Sequence, residues 1–295
     1  MLVSDIQAVI EREHLRQKAS LPLVVFDVQA ADDGYGAVVL SGAMLLERQK
    51  RALLSEVSEI AGDRFVDRIV TREGQPVSIA EASSVVDIMT APGGRTLATQ
   101  LLPGERAKVL HRISDFDLIL LEDGAAGWAP SERLNEIEPS KGLAWDLARM
   151  AVGKLTPEQA GALQFCDIAA RYLEVPYLLG GRTTNGMDCS ALTQLVYRDV
   201  CGRLLPRHSW DQKQCGQELG RSVPERATDM RLGDLLFAVS LKRGEKHVGI
   251  YFGADRVLHA SRMMKRVALW DIRVFCKLYS VASWRRMITI EEPRI

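Results

Sequence analysis

The sequence predicts an α+β protein built from an N-terminal α/β module at 1–76, a small β-barrel at 77–138 and a C-terminal domain at 156–295. Three observations lead to this prediction. Helix and strand patterns alternate in the first part, and short strands separated by turn residues fill the second. In the third part a cysteine opens an amphipathic helix that precedes the strands of an antiparallel sheet. A connector at 139–155, first polar and then amphipathic, joins the barrel to the C-terminal domain.

The composition excludes several classes of function. Of the 295 residues, 47% are hydrophobic and 26% are charged, which is ordinary for a globular protein. Basic and acidic residues number 38 each, so the net charge is zero and no nucleic-acid partner is expected. No apolar run approaches the ~20 residues that span a bilayer, so no membrane span is expected.

The cysteines and the N-terminus predict the compartment. Five cysteines is an odd number without framework spacing, which fits a reducing compartment. The N-terminus lacks the basic-then-apolar order of a secretory signal, so a cytoplasmic protein is expected. A secreted or cell-wall location stays open if a leader has been removed. The cysteine and histidine spacings form no zinc pattern, so neither a metal nor another cofactor is expected.

The N-terminal module is predicted as two strands, a helix and a third strand. The first strands fall at 23–28 and 37–41 around a turn at 33–36, the helix at 45–60 and the last strand at 65–70. This order resembles the small BON-type domain, which implies a weak association with the envelope. The alternative is a module that packs against the rest of the protein or binds a partner.

The middle of the chain is predicted to be all-β. Short strand patterns separated by turn residues run from 79 to 135 and indicate a small barrel. The block Thr99-Gln-Leu-Leu-Pro-Gly-Glu105 and the ending Asp123-Gly-Ala-Ala-Gly-Trp128 resemble bacterial SH3-like domains.

Cys189 is the predicted nucleophile. It opens the run Cys189–Cys201, and Gly202 ends that helix pattern. One face of the run carries its large aliphatic residues, Leu192, Leu195, Val196 and Val200. A thiol at a helix start faces unpaired backbone N–H groups, which lower its pKa and favour the thiolate. The alternative for any single cysteine is a small buried hydrophobe.

Two histidines follow on a predicted β-hairpin. Residues 247–252 alternate between the two faces of a strand, a turn follows at 253–255, and 256–260 read as the returning strand. A hairpin centred on 253 places His247 directly opposite His259, with roughly 5 Å between their Cβ atoms. One imidazole can then take the thiol proton while the other orients it. Purely structural histidines are the alternative.

Ordered sequence blocks surround these three residues. They are Val175-Pro-Tyr-Leu-Leu-Gly-Gly181, Gly186-Met-Asp-Cys-Ser190, Leu205-Pro-Arg-His-Ser-Trp-Asp-Gln212, Gly233-Asp-Leu-Leu-Phe237, His247-Val-Gly-Ile-Tyr251 and Leu258-His-Ala-Ser261. In this order and spacing, about 140 residues between 150 and 290 resemble the NlpC-type papain-like cysteine peptidases of bacterial cell-wall metabolism. The resemblance implies a papain-like domain in which the cysteine-bearing helix packs on an antiparallel sheet.

The resemblance also implies roles for individual residues. Cys189 matches the nucleophile, His247 the general base and His259 the residue that orients the base. Tyr177 matches a tyrosine that helps to polarise the scissile carbonyl. Asp188 and Ser190 match positions that hold the amine of the substrate, and Arg207 and Ser209 match a pocket-lining segment. The chain departs from the family pattern at Ala191, usually glycine, and at Leu179, usually aromatic.

SH3-like domains often precede NlpC-type domains, and in such proteins the barrel can wall off one end of the cleft. Glu105 is then a candidate to bind the free amine of a short peptide, and a solvated surface charge is the alternative. The resemblance implies hydrolysis of murein-derived peptides at the bond between γ-D-glutamate and a diamino acid, with a free N-terminal L-alanine, through an acyl-enzyme. The alternatives are a catalytically decayed envelope-binding scaffold and a thiol amidase or acyltransferase.

Overall fold

The computed structural model describes residues 2–20, 26–74, 76–137, 162–202, 204–222 and 229–287. Two compact units make up this chain. The first takes the chain up to Thr96, then Leu101–Leu121 and the described residues from Ala126 to 137. The second takes Leu97–Gln100, Glu122–Ala125 and the described residues from 162 onward. The predicted connector at 139–155 and residues 156–161 of the predicted C-terminal domain lie outside the described residues.

The first unit opens with a helix and a mixed sheet. Helix α1 (Leu2–Ser20) precedes β1 (Phe26–Asp32), β2 (Val38–Met44), α2 (Glu47–Ala61) and β3 (Phe65–Thr71). Strand β2 is central, since β1 pairs with it antiparallel and β3 pairs with it parallel. Strands β2 and β3 and helix α2 lie close to their expected positions, and α1 adds a helix before them. Strand β1 runs four residues beyond the predicted end at 28, and residues 23–25 of that prediction lie outside the described residues.

Both helices contribute to one buried core. Ile6 and Ile10 of α1 join Leu53 and Val57 of α2, and Leu40 of β2 completes the contact surface. Helix α2 begins after Leu46, which has no side-chain acceptor to cap it. Instead the side chain of Gln49 turns back, and its Oε1 accepts the Leu46 N–H at 3.0 Å. Periodic apolar residues therefore form the core of the module, and the hydrogen bond from the Leu46 N–H to the Gln49 side chain caps the start of α2.

A seven-stranded sheet occupies the middle of the chain. Its strands are β4 (Ser78–Glu81), β5 (Val86–Met89), β6 (Leu97–Leu101), β7 (Arg106–Ile113), β8 (Phe116–Leu121), β9 (Ala126–Pro130) and β10 (Asn135–Ile137). They lie in the order β10-β4-β7-β8-β9-β5-β6. The short strands fit the expected all-β region, and closure into an SH3-like barrel stays a prediction.

The helices of the second unit precede most of its strands. They are α3 (Ala162–Ala170), α4 (Cys189–Cys201) and α5 (Ser209–Gln212), with a two-stranded ladder of β11 (Arg182–Thr183) and β12 (Gly186–Met187) just before α4. Asp188 caps α4, and Gly202 ends it with a left-handed φ of 68°. Both ends of α4 are therefore where the sequence predicts them.

A six-stranded antiparallel sheet supports α4. Its strands are β13 (Gln217–Gly220), β14 (Leu235–Ser240), β15 (Lys246–Gly253), β16 (Arg256–Ser261), β17 (Arg266–Asp271) and β18 (Tyr279–Arg286), with helix α6 (Ile272–Leu278) before the last. They lie in the order β13-β18-β14-β15-β16-β17, and α4 packs on β15 and β16. In the described part of the chain, no helix combines the length and the apolarity needed to cross a bilayer.

The register of the β15–β16 hairpin differs from the prediction. Tyr251 pairs with Val257, and an irregularity follows before Gly253 pairs with Arg256. The turn is formed by Ala254 and Asp255, which both have positive φ, at 45° and 57°. The Tyr251–Val257 pair is centred on 254, so the predicted hairpin centred on 253 is wrong by one residue.

Candidate active site

The N-terminus of α4 presents Cys189 next to a capping carboxylate. Asp188 has an extended backbone, and its side chain accepts the N–H of Ala191 at 2.9 Å. The apolar face of α4 is buried on the sheet, as predicted, so the helix start is held in a fixed position. Asp188 was not predicted to cap the helix, although an aspartate just before an amphipathic run is a standard signal for this role.

Cys189 is 8% exposed, and this burial decides its protonation. Burial raises the pKa of the thiol to about 12, and the carboxylate of Asp188 acts in the same direction. The backbone N–H groups of Val248 and Ser190 and the charge of Arg207 oppose this shift. The expected lowering of the Cys189 pKa is therefore wrong for the free protein, because loss of water outweighs the helix start.

His247 and His259 form a hydrogen-bonded pair. Nε2 of His247 lies 2.9 Å from Nδ1 of His259, and the two side chains are 6% and 0% exposed. Burial lowers the pKa of His247 to about 3. Burial and the neighbouring His247 lower the pKa of His259 well below its ordinary value. Both imidazoles are therefore neutral at pH 7.

The hydrogen bond fixes which nitrogen can serve the thiol. Because Nε2 of His247 faces His259, its Nδ1 is the nitrogen left to accept a proton from Cys189. The Cys189 thiol lies near His247 in space, because the backbone N–H of Val248, the residue after His247, hydrogen-bonds to it. Nε2 of His259 is buried and has no hydrogen-bond partner among the described residues.

Aromatic rings enclose the histidine pair. Tyr279 stacks on His247 with ring centroids 4.5 Å apart and an interplanar angle of 15°. Phe275 lies 5.9 Å from His247, and Trp270 meets His259 edge-on at 4.5 Å. These rings exclude water from both imidazoles. The sequence analysis did not predict these contacts: Phe275 lies on α6, and Tyr279 opens the strand that follows it.

Tyr177 lies in the same neighbourhood. Its backbone N–H donates to the carbonyl of Lys265 at 2.8 Å, and it forms a parallel bridge with Met187, two residues before Cys189. Burial raises the pKa of Tyr177, followed by the charges of Cys189 and Asp188. The phenol therefore stays protonated at neutral pH and is a hydrogen-bond donor near the thiol.

The predicted amine-binding and pocket residues form a buried network. The guanidinium of Arg207 is bidentate to Asp188, at 2.9 Å and 2.7 Å, and also donates to Oγ of Ser190 at 2.9 Å. Ser209 begins α5 and is buried. Gln212, at the end of α5, donates to the carbonyl of Ser190 at 3.0 Å. The roles predicted for these residues in substrate binding stay predictions.

Glu105 belongs to the first unit. Its carboxylate accepts the N–H of Leu102 at 2.9 Å, which closes the turn before β7. Its predicted role in amine binding stays a prediction. Among the described residues, no group of three or more His, Cys, Asp or Glu side chains could hold a metal ion.

A thiol at a helix start beside a hydrogen-bonded histidine pair supplies the nucleophile, base and orienting group that covalent catalysis by a thiol needs. Residues 174–286 match the family model described as the NlpC/P60 family. The resemblance predicted from the ordered sequence blocks is thereby confirmed for the C-terminal region. The resemblance of 77–138 to an SH3-like domain stays a prediction.

Curated relatives align with this region over part of their length. The murein DD-endopeptidase MepS/murein LD-carboxypeptidase of Escherichia coli K12 is 38% identical over 95 residues, 32% of this chain and 47% of that protein. The gamma-DL-glutamyl hydrolase of Bacillus subtilis 168 is 38% identical over 99 residues, 33% of this chain and 22% of that protein. The chain thus spans about half or less of these relatives.

A further relative and a solved structure complete the comparison. The gamma-D-glutamyl-L-lysine dipeptidyl-peptidase of Bacillus subtilis 168 is 32% identical over 117 residues, 39% of this chain and 37% of that protein. A crystal structure of an NlpC/P60 family protein from Bacillus cereus ATCC 10987 gives a TM-score of 0.39 at 19% identity, covering 72% of this chain and 64% of that chain.

Proposed function

We propose that the protein is a cysteine peptidase that hydrolyses short peptides derived from peptidoglycan. The proposed bond joins γ-D-glutamate to a diamino acid, in a peptide that begins with a free L-alanine. The observation that carries the proposal is the hydrogen-bonded pair of His247 and His259 beside the N-terminus of α4. A purely structural histidine pair would have no need of a thiol at the adjacent helix start.

The geometry supports a reaction in which proton transfer accompanies attack. The Cys189 proton passes to Nδ1 of His247 while sulfur bonds to the carbonyl carbon. Nδ1 of His259 accepts the Nε2–H of the imidazolium that forms, which stabilises the new charge in a buried site. The C–N bond then breaks, and the imidazolium proton leaves with the amine. Water, activated by His247, releases the acid and restores the thiol.

Two further groups can act on the carbonyl oxygen. Backbone N–H groups at the start of α4 are candidates to stabilise the charge that develops on this oxygen, as in other oxyanion holes. The protonated phenol of Tyr177 is a donor in the same neighbourhood. These groups add electrostatic stabilisation to the transition state without a metal-dependent step.

The choice of substrate rests on the relatives. Two of the three relatives described above carry names that specify γ-glutamyl linkages, and the third is named for murein. Preference for a free amine and for short peptides is part of the proposal, with Asp188 and Ser190 as candidate contacts. The cytoplasmic location expected from the sequence belongs to the same proposal, since short imported peptides would be processed there.

The test is hydrolysis of L-Ala-γ-D-Glu-diamino acid tripeptides by the full chain. We expect cleavage after γ-D-glutamate, abolished by Cys189→Ala and retained by Cys166→Ala, a control cysteine on α3. Retention of full hydrolysis by Cys189→Ala would overturn the proposed nucleophile.

The substrate preference has its own comparison. We expect the free tripeptide to be cleaved faster than its N-acetylated form and faster than intact, glycan-linked wall. A preference for intact wall would overturn the short-peptide part of the proposal. Mass spectrometry of the products, with and without amine acceptors, separates hydrolysis from acyl transfer. Saturable peptide binding without turnover would indicate a binding protein instead.

A further inference from the structure

Two arginines on either side of the nucleophile are almost completely buried. The side chains of Arg182 and Arg207 are 0% and 2% exposed. An ionised guanidinium is costly to remove from water unless its donors are paired with well-placed acceptors. The partners of these two arginines therefore indicate what the interior around Cys189 is built to hold.

Arg207 connects three parts of the second unit. Its two terminal nitrogens bind Asp188 and Ser190, the residues that flank Cys189 in the chain. Its Nε donates to Oγ1 of Thr99 at 2.8 Å. Its backbone N–H donates to the carbonyl of Asp123 at 3.0 Å. The Nε side of the guanidinium is thus held by Thr99, and its two terminal nitrogens hold Asp188 at the start of α4.

Asp188 transmits this position to the nucleophile. One of its oxygens accepts from Ala191, Ser190 and Arg207, and the other accepts from Arg207 and from the Gly180 N–H at 2.9 Å. Both oxygens are therefore occupied by protein donors. Asp188 caps α4, and Cys189 follows it directly. A shift of the Arg207 guanidinium therefore moves Asp188 and, with it, the first turn of α4 that carries Cys189.

Arg182 is held in a similar way by Gln100, the residue that follows Thr99 on β6. Its Nη1 donates to the carbonyl of Gln100 at 2.7 Å, and its backbone N–H donates to Oε1 of Gln100 at 2.7 Å. Neighbouring residues of β6 thus supply acceptors to an arginine before the nucleophile and to one after it. A single purely structural contact would not need this pairing on both sides of Cys189.

We propose that Thr99 is a positioning residue for Cys189, acting through the Arg207 guanidinium and the Asp188 cap. The inference rests on the proposed role of Cys189 as nucleophile. Without the Thr99 hydroxyl, Nε of Arg207 has a buried hydrogen without an acceptor. The guanidinium must then turn towards another acceptor, which disturbs its planar grip on Asp188. The thiol is displaced from its line of attack, and the nearby positive charge that favours its thiolate is weakened.

The test compares three variants of the full chain. Thr99→Val removes the hydroxyl at nearly constant shape, Thr99→Ser restores it, and Thr96→Val is a matched control at an exposed position of the same segment. Two rates are measured: peptide hydrolysis per titratable Cys189, and alkylation of Cys189 by iodoacetamide across pH, followed by mass spectrometry of the Cys189 peptide. Alkylation needs no substrate, so it reports on the thiol even if the proposed peptide is not cleaved.

For Thr99→Val we expect kcat to fall about tenfold with KM within about twofold, the size expected for one hydrogen bond to a charged group. We also expect its alkylation profile to move to higher pH. Thr99→Ser and Thr96→Val should match the wild type in both measurements. A changed alkylation profile in a protein that cleaves no tripeptide would support the positioning role and overturn the proposed function.

Other outcomes would overturn the positioning role. One is a Thr99→Val protein with the kcat and alkylation profile of Thr96→Val. Another is a loss of activity that disappears when the rate is expressed per titratable Cys189, because that loss reflects unfolding alone. If Thr99→Val does not fold, Arg207→Lys keeps the charge but lacks the Nε donor and the planar fork. Wild-type kcat and alkylation in that variant would likewise contradict the proposal.

Discussion

Nε2 of His247 lies 2.9 Å from Nδ1 of His259, although the two residues are not directly opposed on their strands. Ile250 pairs with Leu258, so the same register continued by one residue places Gly249 opposite His259 and makes His247 its diagonal neighbour. A Cβ at Gly249 would lie 3.5 Å from the Cβ of His259 and 2.6 Å from Cγ1 of Val257. The glycine leaves the room in which the imidazole of His259 turns towards His247.

Loss of His259 should weaken catalysis more than substrate binding. We expect His259→Ala to lower kcat about a hundredfold, because the imidazolium of His247 loses its acceptor. His259→Asn should lose less, since its side-chain oxygen can accept in place of Nδ1. Steady-state kinetics on the tripeptide, expressed per titratable Cys189, measures both. His111→Ala, at an exposed position of the first unit, is the control. A kcat in His259→Ala equal to that of His111→Ala would contradict the proposed role of His259.

The reactivity of Cys189 should rise with pH rather than form a plateau at acidic pH. Burial raises the pKa of this thiol to about 12 and lowers that of His247 to about 3, so the neutral pair is the resting state. We expect the rate of alkylation by iodoacetamide to increase continuously between about pH 6 and pH 10. A rate that is already constant from about pH 5 upward would indicate a preformed thiolate–imidazolium pair instead.

The folded state should lose stability in mild acid. His247 has a folded pKa of about 3 against an ordinary value of 6.5, so its contribution is present above 6.5 and is lost as the pH falls towards 3. Between pH 7 and pH 5 this amounts to about 2 kcal/mol of unfolding free energy for His247 alone. Urea unfolding followed by tryptophan fluorescence measures it. His247→Gln should show a smaller loss, and an identical pH dependence would exclude His247 as the cause.

A methyl group at Gly249 should disturb the histidine pair. We expect Gly249→Ala to reduce the unfolding free energy by about 1–3 kcal/mol and to lower kcat, because the new Cβ meets Cγ1 of Val257 at 2.6 Å. Adding Val257→Ala removes that obstacle. The double variant should therefore recover part of the stability lost by Gly249→Ala, which a double-mutant cycle in urea detects. Simple additivity of the two losses would show that the clash is absent.

Local patterns predicted the helix and the hairpin but not the register. An amphipathic run with a cysteine at its start and a glycine at its end defines α4 without any tertiary information. The turn was predicted at Gly253 because glycine readily adopts a positive φ. The actual turn places Ala254 at a φ of 45°, and no residue type announces such a position.

Long-range partners were beyond local patterns for a physical reason. The Nε of Arg207 and its acceptor on Thr99 are 108 residues apart in the chain, so no periodicity connects them. The pKa of Cys189 depends on the same kind of information. A helix start is visible in the sequence, whereas the amount of water removed from the thiol by β15 and its neighbours is decided only after folding.

The family match spans 174–286, yet the unit that holds the nucleophile also contains Leu97–Gln100 and Glu122–Ala125. A gene fragment cut at the family boundary would leave the guanidiniums of Arg182 and Arg207 without their acceptors on Gln100 and Thr99. Such a fragment should be less stable or weakly active, because buried guanidinium donors that lose their acceptors destabilise the fold. Recombination that exchanges the C-terminal region between relatives must therefore also exchange the segments Leu97–Gln100 and Glu122–Ala125.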